Sequence, residues 1–170
     1  MAIRVTMMAM VAVVALLLQT VVMPALEVFS WRPDLITLTV IGFALADGPQ
    51  TGVRYGFAAG LVRDLASGGG QLGLSSLVLL LVGWVAGHSR RYLTASLIGG
   101  QMAVGGIVSA AALLFQGILE VLLGNGQHGV LVLLEGTTVI GFYNAVLAPV
   151  MFWPLARISA RFTGDPLAGV

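Results

Sequence analysis

The chain has 170 residues, 58% of them hydrophobic and 9% charged, against roughly 25% charged in an ordinary soluble domain; that much apolar side chain cannot be buried in one water-soluble core. A net charge of +1 with no basic run excludes binding to a nucleic-acid backbone. The absence of cysteine removes disulfides, thiolate metal sites and cysteine nucleophiles together, and with no lysine every positive side chain is an arginine.

A bilayer core of ~30 Å needs about 20 apolar residues per helix, so the chain is expected to be an all-α integral membrane protein, one transmembrane domain over 1–170 with six spans. The first span is expected over 5–23. Its 19 residues exceed the usual apolar core of a signal peptide, and Pro24-Ala25-Leu26-Glu27 offers no small-residue cleavage site, so it reads as a retained helix. Pro24 closes it, because proline cannot continue the backbone ladder. After a polar connection from Glu27 to Asp34, a second helix is expected over 33–46, with Pro33 suited to a first helical position.

The turn Asp47-Gly48-Pro49-Gln50 leads to a third helix over 52–66. Helices two and three are short: twelve residues from Leu35 to Ala46 give about 18 Å at ~1.5 Å per residue. Neither can stand alone in lipid as a rod, so their ends are expected to be sheltered by protein or water. Gly68-Gly69-Gly70 breaks the chain before a fourth helix over 72–87, ended by His88-Ser89-Arg90-Arg91. A fifth helix is expected over 98–123. The turn from Gly124 to Gly129 then leads to a sixth over 130–153, kinked at Pro149.

Arginine collects in cytoplasmic loops. A cytoplasmic N-terminus places Arg4, Arg54, Arg90, Arg91, Arg157 and Arg161 inside, and leaves Arg32 and Arg63 outside. Both termini are then cytoplasmic. Of the acids, Glu27, Asp34, Asp64, Glu120 and Glu135 fall toward the outer face, and Asp47 and Asp165 toward the inner.

Two segments combine charge with membrane depth: Arg32-Pro33-Asp34-Leu35 and Arg63-Asp64-Leu65. In a hairpin turning at Asp47 to Gly52, the two aspartates reach the same level. Sequence neighbours on a helix diverge by about 100°, so cross-helix pairing such as Asp34 with Arg63 is expected, an ion-pair clip that either holds the hairpin or serves a partner or ligand. Gly52, Gly56 and Gly60 share one face and allow close helix approach, repeated by Gly83 and Gly87. Glu120 and Glu135 lie at similar depth on either side of the last turn and are secondary candidates. His88 and His128 fall on opposite sides and cannot share a metal. No nucleophile and base accompany the carboxylates, and the glycine loop lacks the Lys-Ser/Thr end of a P-loop. The expectation is no enzyme, no metal and no cofactor.

Six short spans, Pro33-Asp34-Leu35 opening the second helix, and Gly60-Leu61-Val62-Arg63-Asp64-Leu65-Ala66-Ser67-Gly68 before the fourth resemble MreD, the rod shape-determining membrane protein family. The resemblance implies a non-enzymatic scaffold in the bacterial cytoplasmic membrane. Its expected partner is an MreC-type single-span protein and, through it, MreB, RodA and a class B transpeptidase of the peptidoglycan-synthesising elongasome, all within membrane lipid. It also implies a bundle similar to the substrate-binding S components of energy-coupling-factor transporters, and it carries over to Pro33, Asp34, Gly60, Asp64 and Leu65. The rival expectation is a small-molecule uptake subunit of S-component type, with an outer pocket lined partly by Asp34, Asp64, Glu120 and Glu135 and suited to a cation. Such subunits couple through an alanine stripe on helix one. Ala9, Ala12 and Ala15 do not form that stripe.

Overall fold

The computed structural model describes residues 2–22, 31–67, 72–92, 98–124 and 129–163. Met23, Glu27, the glycines at 68–70, His128 and Asp165 lie outside the described residues. Six helices run in chain order: α1 (Ala2–Val21), α2 (Leu35–Asp47), α3 (Pro49–Ala66), α4 (Leu74–Ser89), α5 (Ile98–Leu122) and α6 (Val130–Thr163), with a short 3-10 turn at Arg90–Tyr92. No strand occurs among the described residues.

α2 sits at the centre and touches α1, α3, α4, α5 and α6. Its residues from Leu35 through Ala44 are all buried. A helix apolar on every side is a core helix, which meets the sequence expectation that so short an apolar segment must be sheltered by protein. α2 and α3 form a tight hairpin in which Gly48, at φ +91°, is the whole connection, and Pro49 opens α3. A side chain is strained at that φ, so glycine belongs there, and proline fits the first helical turn because that N–H has no intrahelical partner.

α3 packs along α4 through backbone. A Cβ placed on Gly52, Gly56 or Gly60 would fall within 3.0 Å of α4 main-chain atoms at Gly83, Leu79 and Ser76 respectively. Gly83 and Gly87 face Gly52 and Pro49 in the same way from the other side. The glycine face is therefore occupied within the chain.

α5 and α6 form the second closely packed pair, antiparallel, with Gly105 against Ala148 and Gly117 against Leu133. α6 runs parallel to α2, from Asn144 beside Asp34 to Ser159 beside Asp47. It is 34 residues long, about 51 Å at ~1.5 Å per residue, and continues ten residues past the expected end at Trp153. Pro149 and Pro154 lie inside it and do not end it; neighbouring helices in a bundle shelter the carbonyls that each proline leaves unpaired. In its last turns Arg157 lies 3.7 Å from the centre of the Trp153 ring, a cation over an aromatic face.

By length and composition α5 and α6 can each cross a membrane, and only 22% and 17% of their apolar windows are buried inside the protein. Ile107, Phe142 and Val150 are each about 70% exposed (69%, 71% and 69%). Such continuous apolar exposure marks a surface covered by lipid or by another protein.

Candidate functional site

The candidate residues gather where α2 begins. Asp34 is the N-cap of α2, its carboxylate accepting from Thr37 N at 3.0 Å and from Thr37 Oγ1 at 2.8 Å. An aspartate here satisfies one of the N–H groups that a helix start leaves open. Arg63, one turn from the end of α3, donates from Nη1 to Asp34 Oδ2 at 2.9 Å. This is the cross-helix pair suggested by the hairpin register. Both side chains are largely shielded, at 24% and 16% exposure, so removing either one would leave a poorly solvated charge alone, even though the desolvation of both offsets much of the pair's attraction.

Asp64 turns away from Arg63 and toward α4. Its carboxylate accepts from Gly73 N (2.8 Å), Ser75 N (3.2 Å), Ser76 N (3.4 Å) and Ser76 Oγ (3.4 Å). It is 6% exposed. It therefore closes the N-terminus of α4 from the neighbouring helix, where the N-cap position itself is Gly73, at φ +100°, with no side chain to offer. Asp64, expected at the same depth as the Asp34–Arg63 clip, is not part of it: its partners are backbone N–H groups and a serine at the start of α4.

Pro33 is fully buried and Gly60 is pressed against Ser76. Leu65 is 63% exposed and Arg32 lies on the exposed rim. Glu120 is held on its own helix by Gln116 Nε2 at 3.0 Å, and Glu135 is exposed.

The residue that the sequence reading missed is Asn144. It is completely buried, and its amide reads both backbone groups of Asp34: Oδ1 accepts from Asp34 N at 3.1 Å and Nδ2 donates to Asp34 O at 3.2 Å. The same Nδ2 donates to Ser109 Oγ of α5 at 2.8 Å. One amide thus ties α6, α5 and the head of α2 together. Gln19 of α1 adds a fourth helix by accepting from Ile36 N at 3.2 Å. A lone amide in an apolar run is the available signal for such a residue, since polar side chains in membrane helices bind across helices.

These groups surround a partly open hollow of about 70 Å³, bordered by Gln19, Arg32, Asp34, Thr37, Arg63, Ser109 and Gln116 with apolar neighbours. The acidic pocket expected from Asp34, Asp64, Glu120 and Glu135 is corrected too. Of the four, only Asp34 borders the hollow, and two arginines stand beside it.

A family model described as rod shape-determining protein MreD matches residues 1–162. No curated protein and no solved structure gives a significant match.

Proposed function

The chain belongs to the MreD family of rod shape-determining membrane proteins, and on that premise we propose that it is a non-enzymatic scaffold of the bacterial elongation complex. In this reading it crosses the cytoplasmic membrane six times with both termini inside, in a bundle of the S-component type. It binds an MreC-type single-span protein and so helps position peptidoglycan synthesis by RodA and a transpeptidase alongside MreB.

The observation that carries the reading is how the buried polar side chains are used. Asp34, Arg63, Asp64 and Asn144 each bridge one helix to another, which fixes a shape, while the outer faces of α5 and α6 remain apolar and uncovered. A rigid body with a lipid-facing surface suits a component that other membrane helices pack against. α1 also weighs against coupling to a transport ATPase: Ala12 and Ala15 are buried in the core, so they cannot form an external alanine stripe.

The test is purification of the tagged protein from its native membrane in mild detergent, with mass spectrometry of everything that accompanies it. Recovery of a single-span, coiled-coil MreC-type protein is the expected result. Recovery of an ATPase with a membrane coupling subunit would replace the scaffold reading with a transport one.

A further inference from the structure

We propose that the exposed stripe Trp153, Arg157 and Arg161 on α6 is a binding site for the headgroup of an anionic phospholipid. Phe142, Val146, Val150, Trp153, Arg157 and Arg161 follow one another at steps of three or four residues, which keeps them on one side of the helix, and every one of them is exposed. Ala148, Phe152, Leu155 and Ser159, on the other side, are buried. The first three residues of the stripe continue the apolar face that lipid covers. Tryptophan, an apolar body with one polar N–H, belongs where such a face meets water. The two arginines follow one and two turns later, about 6 and 12 Å along the axis.

α4 repeats the pattern. Leu77, Leu81, Trp84 and Arg91 are exposed, at helical spacing with His88 between the last two, and the His88 ring lies against the Trp84 indole with centroids 4.5 Å apart. α4 and α6 reach this end of the bundle together, because Gly87 packs on Pro49 and Ser159 bonds to Asp47. Each indole therefore lies within about two turns of the turn joining α2 to α3. Two helices remote in sequence change from apolar to basic side chains through an indole at this end, which locates the membrane surface there.

The charge at this surface is one-sided. Among the described residues, Arg54, Arg90, Arg91, Arg157 and Arg161 stand at this end against Asp47, whose carboxylate is engaged by Ser159 on the buried side of α6. No acid lies on the stripe itself. The Arg157 guanidinium carbon stands 3.7 Å from the centre of the Trp153 ring. Stacking engages the face of a guanidinium, whereas its N–H groups lie in its plane, where they meet phosphate oxygens two at a time. Arg161 adds a second guanidinium one turn on. A zwitterionic headgroup carries a cation that the arginines repel, so an anionic one is favoured. An acidic protein segment would match the charge but not the apolar run from Phe142 to Val150, which suits acyl chains.

The experiment uses the full-length protein in a neutral detergent, with native mass spectrometry counting the lipids retained during titration with phosphatidylglycerol or with phosphatidylcholine of the same acyl chains. Arg157→Gln and Arg161→Gln change the stripe, and Arg54→Gln removes an exposed arginine of the same end that lies on α3. The wild type is expected to hold phosphatidylglycerol more tightly than phosphatidylcholine, with that preference about fivefold weaker in each stripe variant, the equivalent of ~1 kcal/mol per basic residue at a membrane surface, and unchanged in Arg54→Gln. Equal retention of the two lipids, a preference that survives both stripe substitutions, or an equal loss in Arg54→Gln overturns the proposal. A glutamate-rich peptide serves as the third probe: its binding through Arg157 and Arg161, without any lipid preference, would assign the stripe to an acidic protein segment and overturn the lipid site. The assay involves no partner protein, so its failure leaves the scaffold reading standing.

Discussion

Replacing Asp64 by alanine tests how α3 and α4 are joined. The carboxylate receives three backbone N–H groups and one hydroxyl at the start of α4, in a position 6% exposed. Each buried donor left without a partner costs ~1 to 3 kcal/mol, and loss of a helix cap alone costs ~1 kcal/mol. With part of that recovered by local relaxation, the variant should lose ~3 kcal/mol. For a chain of this size ~1 kcal/mol corresponds to about 2 to 4 °C in midpoint, so a fall of about 6 to 12 °C is expected in a detergent melt. Leu65→Ala, one residue on and 63% exposed, is the matched control and should stay within about 2 °C of wild type. The reasoning also fixes a coupling. In double-mutant cycles Asp64→Ala should couple to Arg63→Met more weakly than Asp34→Asn does, because Asp34 is the carboxylate bonded to Arg63. A midpoint like that of the wild type, or strong coupling of Asp64 to Arg63, would refute the capping role.

Removing one member of the Asp34–Arg63 pair, as Asp34→Asn or Arg63→Met, should cost up to ~3 to 5 kcal/mol by leaving a shielded charge alone, and the double variant should recover much of the loss in the same melt. Gly56→Ala should separate α3 from α4 and cost ~1 to 3 kcal/mol, since its Cβ would meet the Leu79 carbonyl, whereas Gly99→Ala, with nothing within 4 Å, should be neutral. Asn144→Leu removes three bonds and leaves Asp34 N–H buried; at ~0.5 to 1.5 kcal/mol per bond a loss of ~2 to 4 kcal/mol is expected, read as reduced steady-state level and a lower midpoint.

Helix positions were legible in the sequence because apolar runs and their breakers share one short alphabet. Gly48-Pro49 and the arginines at 90 and 91 mark ends that the structure keeps within a few residues. The hairpin register likewise brings Asp34 level with Arg63. Two things could not be read. α6 continues past Trp153 because the helices packed beside it, not local propensity, decide whether a proline ends a membrane helix. Asp64 and Asn144 act through contacts with Gly73 and Asp34, the latter 110 residues away in sequence, and spacing along one helix carries no record of which distant backbone group a side chain meets. The composition of the hollow was misjudged for the same reason: acids at one depth need not share one azimuth.

The burial of α2 bears on how the chain is made. α2 has no lipid-facing stripe and is 13 residues long, below the ~17 residues at which a segment ordinarily inserts as a span. On the proposed six-span reading it would enter together with α3 and wait. The amide that fastens its first residues, Asn144, emerges more than a hundred residues later, and so does the parallel strut of α6 that runs beside it from Asp34 to Asp47. Until then the head of α2 depends on Gln19 and Arg63. Nascent chains halted before α6 should therefore be the ones that quality-control proteases of the membrane remove, and the last helix is the one that commits the protein to its final form.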